Sequence, residues 1–295
     1  MADARVRGVL EALLVTFLWS SSYVLTKIGL QDTPPLLLVA LRYILASVVL
    51  LSVAFARGAH RELDRGTAVK LALLGVSGYA VAQGLQCLGL FYLPAVTVTF
   101  ILNFTPVMVL VFNAVTVGYR PTTPQLVGVL MVLGGAYIYF GGRIEAGNLL
   151  GVAITLLSGL GWAVYLVAGR RFFADRSITP LALSAFAMAS GTVLIAGSAA
   201  VFEGLRPVSP QSLAIILWLG VVNTAAAFFI WNRALAKVGA FEISILQNTM
   251  LIQIAVLSWM FLGETLSSTK MLGMGLVFTG VLIVQLSSLR GGGRS

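Results

Sequence analysis

The chain is poor in nearly everything that chemistry at a soluble active site draws on. Its 295 residues hold one cysteine, Cys87, and one histidine, His60, which leaves no disulfide framework and no Cys/His metal site. Acids are scarce, ten against nineteen Lys and Arg, and charged residues make up 10% of the total. A soluble domain carries about 25% charge, so the soluble class is excluded. Glycine-rich stretches such as Gly134-Gly135 lack the strand–helix setting of a nucleotide loop and read as places of close helix packing. Nothing calls for a metal, ATP or another cofactor. What fills the chain is apolar: 59% of residues, with a mean hydropathy of +0.98. In a soluble protein a net charge of +9 would suggest nucleic acid, but here the placement of the charges explains it better.

A helix needs about 20 mostly apolar residues to cross about 30 Å of hydrocarbon. Ten stretches qualify: 8–30, 34–56, 68–92, 94–117, 124–141, 148–169, 178–202, 211–236, 240–262 and 268–288. Pro34-Pro35, Pro94, Pro124 and Pro180 stand at helix starts, and Gly58, Gly118, Gly142, Gly204 and Gly263 stand just past helix ends. The first span is too long for a signal-peptide core and lacks a cleavage site, so it reads as the first helix. With the N-terminus in the cytoplasm, fourteen Lys and Arg fall on that side and four on the other, while Arg42 lies within a span. That asymmetry obeys the positive-inside rule and places both termini in the cytoplasm. The fold class predicted is all-α, a polytopic membrane protein of ten helices.

Shifted by 145 positions, the chain matches itself: Thr99 falls on Ser244, Asn103 on Asn248, Gly118 on Gly263, Gly128 on Gly273 and Gly135 on Gly280. A shift of 143 lays Trp19 on Trp162 and Lys27 on Arg170. The reading is a duplication, 1–142 and 143–295, with five helices in each half. Because five is odd, the second copy enters the membrane upside down. Inverted repeats place a substrate site near the midplane between the halves and expose it alternately to each side. A transporter is expected.

Two segments carry a family resemblance, FLWSSSYVLTKIGLQDTPPLLLVALRY (17–43) and FLGETLSSTKMLGMGLVFTGVLI (261–283). They resemble the drug/metabolite transporter superfamily, EamA type, and within it the bacterial amino-acid exporters. The resemblance implies ten helices, an inner-membrane location and export of aromatic and other neutral amino acids or related metabolites and drugs. The Gly-Glu pair typical of the family occurs once, at Gly263-Glu264, where the first half has Gly118 and Tyr119. Pro106 has Leu251 as its repeat mate. Both departures weaken strict symmetry between the halves.

Polar and aromatic residues deep in spans are the candidates for a cavity lining, because leaving them unpaired in hydrocarbon costs several kcal/mol. Helix three carries Tyr79, Gln83 and Gln86 on one face, and their repeat mates are Thr224, Phe228 and Trp231. Helix four offers Thr99, Phe100 and Asn103, helix nine Ser244 and Asn248, and helix eight Asn223. Trp19 and Trp162 lie well inside their helices, with Tyr165 one turn from Trp162. Trp218, Trp231 and Trp259 fall near span ends and read as an interfacial belt. Glu11 and Glu242 lie near the cytoplasmic boundary, so no carboxylate occupies the midplane. Arg42 reads as snorkelling or as paired with Asp32 or helix carbonyls, with anchoring of a substrate carboxylate as the alternative.

The expected activity is alternating-access export of small zwitterionic or amphipathic metabolites, bound through dipoles and π faces. Within the superfamily the alternatives are a multidrug or amphipathic-cation exporter, and a sugar-phosphate or nucleotide-sugar exchanger. The latter would want several midplane cations for its phosphates, where the chain has Arg42. A lipid-modifying enzyme would need a cluster of His, acid or Cys at one depth, and a pore a continuous polar stripe. The partners expected are a small-molecule substrate and membrane lipid, with no nucleic acid; the sequence does not fix the oligomeric state, and a monomer is one option.

Overall fold

A computed structural model describes residues 2–117, 120–141, 146–174, 178–238 and 246–291. Among the described residues there is no strand, and ten helical rods follow one another. They are α1 (Ala2–Gly29), α2 (Pro35–Ala56), α3 (Arg65–Tyr92), α4 in two pieces (Ala95–Leu102 and Thr105–Val117), and α5 (Thr123–Tyr139). Then come α6 (Ala146–Ala174), α7 (Pro180–Phe202), α8 (Pro210–Gly220, running on through Val221–Ala226 and Ala227–Val238), α9 (Leu246–Leu262) and α10 (Ser268–Gly291). α1, α2, α3, α6, α7 and α8 contain stretches long and apolar enough to cross a membrane, and α4, α5, α9 and α10 hold shorter apolar ones. Leu133, Val193 and Leu272 on the outer surface are all more than half exposed, an arrangement that suits lipid rather than water.

The expected punctuation largely holds. Pro35 opens α2, Thr179 and Ser209 accept backbone N–H groups at the starts of α7 and α8, and Gly263 ends α9 in the left-handed conformation at φ +67°. The residue with positive φ after α5 is Gly141, at +62°; Gly142, like Gly118, lies outside the described residues.

Helices four and nine, expected as continuous spans, are interrupted. Pro106 has no N–H to give to the Leu102 carbonyl, and the Thr105 hydroxyl donates to that oxygen instead (2.7 Å), so α4 breaks at Asn103–Phe104. The repeat mate of Pro106 is Leu251, yet α9 is interrupted at the matching place. There Thr249 makes a turn, its hydroxyl donating to the Leu246 carbonyl at 2.6 Å. The symmetry that the sequence leaves in doubt at Pro106 survives in the backbone.

The two copies are related by a dyad, and the contacts display it. Ser47 and Thr192, 145 residues apart, are repeat mates, and their hydroxyls meet at 2.9 Å. A residue touches its own mate only on a two-fold axis. Away from the axis the contacts cross over. A methyl at Gly75 would lie 2.0 Å from the Ala187 carbonyl, and one at Gly220 would lie 3.0 Å from the carbonyl of Arg42. Gly220 is the mate of Gly75, and Ala187 is the mate of Arg42. α5 and α10 repeat the pattern: Gly128 faces Gly280 and Gly135 faces Gly273, each with room for a hydrogen and no more (2.6 and 2.7 Å from a Cβ to the facing carbonyl). In α5 and α10 the mate helices therefore run antiparallel, which requires the copies to run in opposite senses. The fold is two inverted repeats.

Candidate functional site

α1, α2, α3, α6 and α8 converge on a buried aromatic group. Trp19 is its hub, with ring centroids 4.7 Å from Trp231, 5.1 Å from Phe228 and 6.3 Å from Trp162. Trp162 stacks on Tyr165 (4.9 Å, 10° between planes), the Tyr165 and Tyr79 hydroxyls lie 3.2 Å apart, and Tyr79 in turn meets Phe228 and Tyr43. The sequence pattern locates five members of this group. Trp231 corrects it: read as interfacial, it is fully buried, because its ring packs on Trp19 of the other copy. Trp218 and Trp259, by contrast, are more than half exposed, as an interfacial belt requires. The indole N–H groups of Trp162 and Trp231 are buried with no acceptor among the described residues.

Beside the rings lies a narrow polar cavity with room for little more than one water, lined among others by Arg42, Gln83, Gln86, Ser22 and Thr26. Arg42 is a further correction. It does not snorkel, and Asp32 is engaged elsewhere. Its Nε donates to the Thr224 hydroxyl (2.6 Å) and its guanidinium lies 5.5 Å from the centre of the Tyr43 ring. Asn223 donates to the Leu18 carbonyl and to the Ser21 hydroxyl (3.1 Å), while its own oxygen is buried without a partner. These residues stand where they do because α3 and α8 both widen into π-helical turns, Val76–Gly84 and Val221–Ala226, at repeat-related positions. Gly78 is part of the fit, since a Cβ there would enter the Tyr165 ring at 2.1 Å.

The other candidates divide. Thr99 is buried and its hydroxyl donates back to the Ala95 carbonyl at 2.9 Å, outside the cavity lining. Asn103 turns back on its own helix, donating to the Thr99 carbonyl at 3.0 Å. Phe100 faces away, stacked on Tyr139 at 4.0 Å. Asn248 is buried in α9, and Ser244 lies outside the described residues. Sequence reasoning passed over Gln253 of α9, whose oxygen accepts from Ser20 of α1 at 2.8 Å and whose amide reaches Thr16. A glutamine midway along an apolar run was the available signal.

Both ends of the site are clasped by acids. At the α1 start, Glu11 accepts from Arg233 (2.7 Å) and Lys237 (2.8 Å) of α8. At the far end the Glu203 carboxylate accepts the Leu36 and Leu37 N–H groups (3.1 and 2.8 Å), and that of Glu264 accepts those of Ala95 and Val96 (2.9 and 3.2 Å). Each places a negative charge from the second half on the positive end of a first-half helix. Glu264→Ala is expected to lower stability by about 1–2 kcal/mol, read as an earlier thermal unfolding in detergent. Asp32 completes this end, accepting from the Ser209 and Ser212 hydroxyls, which hold its carboxyl below the usual carboxylate range. A carboxyl with a depressed folded-state pKa stabilises above its unfolded value, and the contribution fades as pH falls through the folded one. Melting curves between about pH 5 and pH 2 should therefore show a loss in the wild type that is smaller in Asp32→Asn, where Glu11 and Asp64, the latter also held below the usual carboxylate range, still titrate.

Set against known proteins, the model of the EamA-like transporter family matches residues 6–141 and again residues 149–286. The chain belongs to the EamA-like transporter family. It is a multi-pass membrane protein of the bacterial inner membrane type. Among the relatives of this EamA-like chain is the S-adenosylmethionine/S-adenosylhomocysteine transporter of Chlamydia trachomatis serovar L2, 26% identical over 95% of this chain and 89% of that one. Another is the probable amino-acid metabolite efflux pump of Escherichia coli K12, 23% identical over 95% of each. A crystal structure 21% identical in sequence superposes with a TM-score of 0.70, covering 96% of this chain and 98% of that one, and so shares the fold.

Proposed function

We propose that this EamA-like protein exports small amphipathic metabolites, aromatic and other neutral amino acids foremost, by alternating access to the chamber between its halves. The halves are 1–142 and 143–295, crossing the membrane ten times with both termini in the cytoplasm. The single observation that carries the reading is the aromatic group. Its rings come from helices of both copies, and it holds two buried indole N–H groups without acceptors beside a polar cavity. Two such donors in one buried group go against ordinary packing, since each costs about 1–3 kcal/mol unsatisfied. A solute carrying both a ring and polar groups would satisfy both surfaces. In the described conformation acids clasp both ends, and export would release the Glu11 clasp and the Glu203 and Glu264 clasps in alternation.

A second reading is favoured by the relative that carries S-adenosylmethionine. A sulfonium and an adenine are both well served by π faces, and such a molecule also bears an amino-acid end. Uptake into proteoliposomes separates the readings. A panel of L-tryptophan, L-phenylalanine, L-leucine, L-lysine, L-glutamate and S-adenosylmethionine is presented with and without a pH gradient. Preference for the aromatic and neutral members supports the first reading, preference for S-adenosylmethionine the second. Uptake of none above protein-free vesicles contradicts both.

A further inference from the structure

We propose that Arg42 anchors the carboxylate of the transported solute, making the site selective for small monocarboxylates of amino-acid type over amphipathic cations. The assignment rests on the transport reading above and names the group that selects the substrate.

Arg42 is 8% exposed, deep in an apolar helix, and no carboxylate is found among its hydrogen-bond partners or the residues lining the adjoining cavity. A guanidinium held out of water without a counter-anion is costly, and such groups inside membrane helices ordinarily find a partner. Thr224 occupies only Nε, the terminal N–H groups have no hydrogen-bond partner among the described residues, and Arg42 lines the cavity. That leaves the planar donor edge suited to bidentate contact with a carboxylate.

The surroundings complete an amino-acid end. The Thr26 and Tyr43 hydroxyls at the cavity wall are buried without partners, as is the side-chain oxygen of Asn223, the neighbour of Thr224. They offer acceptors for an ammonium beside the carboxylate, and the aromatic group next to Tyr43 and Tyr79 offers a surface for the side chain. Symmetry limits the charge. The dyad mate of Arg42 is Ala187, so the fold supplies one cation and not two, which matches a single carboxylate better than a doubly charged phosphate ester.

The test uses L-phenylalanine as probe in proteoliposomes, with L-phenylalaninamide and phenethylamine as competitors that lack the carboxylate. In the wild type both should compete at least about 30-fold more weakly than unlabelled L-phenylalanine. Arg42→Gln should raise the KM for L-phenylalanine by about 30-fold or more while leaving inhibition by phenethylamine unchanged, and Arg42→Lys should fall between. The wild-type competition stands even if Arg42→Gln does not fold. Phenethylamine competing as well as L-phenylalanine would overturn the assignment while leaving the transport reading intact. Absence of uptake for the whole panel would overturn both.

Discussion

Gly135→Val is expected to destabilise the protein by about 3 kcal/mol or more, enough to abolish recovery of folded protein from a marginally stable membrane bundle. A Cβ at position 135 would sit 2.7 Å from the carbonyl of Gly273 and 2.8 Å from a methyl of Val277. The nearest obstacle is backbone, which cannot rotate away as a side chain can, so α5 and α10 must part. Gly134 supplies the control. A Cβ there meets only one Leu276 methyl, at 3.7 Å, so Gly134→Ala should melt within a degree or two of the wild type. Fluorescence-detected size exclusion and thermal unfolding of the two variants side by side would separate a specific contact from a general intolerance of the helix. The same contact joins the copies at their outer edge, so its loss reaches function through the fold rather than through the site.

Trp19→Ala should lower transport by about 10- to 100-fold, the range associated with removing a central aromatic anchor. Trp19 touches Trp231, Phe228 and Trp162 at once, the first two from α8 and the third from α6, and so it is where the first copy meets the second across the rings. Part of the effect will be stability, since emptying a buried tryptophan site costs about 3–5 kcal/mol. Trp19→Phe tells the parts apart, because it keeps a ring at the hub while reducing volume. The expected order for uptake of the best-transported panel member is wild type, then Trp19→Phe within a few-fold, then Trp19→Ala far below. Equal transport by Trp19→Ala and wild type would remove the aromatic group from the site.

Much of this was legible because membrane helices are written in long apolar runs that need no distant partner to be recognised. The rods from α1 to α10 lie close to the stretches that hydropathy marks, and the glycines aligned at a shift of 145 turn out to be those through which α5 and α10 touch. The pairing was not legible. Alignment sets Gly128 on Gly273, whereas the dyad brings Gly128 against Gly280, and only a three-dimensional axis makes that exchange. The interruption of α9 was hidden because Thr249 is an ordinary residue in an apolar run, and its back-bond to Leu246 leaves no mark in composition.

Arg42 was misread for a related reason. Its partner Thr224 lies 182 residues away in the other copy, and the nearer acid, Asp32, offered a local explanation that Ser209 and Ser212 pre-empt. Glu203 has no mark in the sequence and Glu264 stands there only as half of the Gly-Glu pair; their role comes from the starts of α2 and α4 beside them. Trp231 reads as interfacial in the sequence because the Trp19 ring that buries it belongs to the other copy. In each case the missing information was which end of one copy meets which end of the other.

Counterflow tests the central claim most directly. Proteoliposomes loaded with unlabelled L-phenylalanine are diluted into a trace of labelled L-phenylalanine, and the label inside is followed with time. A carrier whose chamber opens to one face at a time accumulates label transiently above its external concentration, because efflux of unlabelled solute returns the site loaded for exchange. That overshoot is the result predicted here, and Gly134→Ala should retain it. Uptake that rises only to equilibrium, with no overshoot at any internal load, would mean a path open to both faces at once and would contradict alternating access.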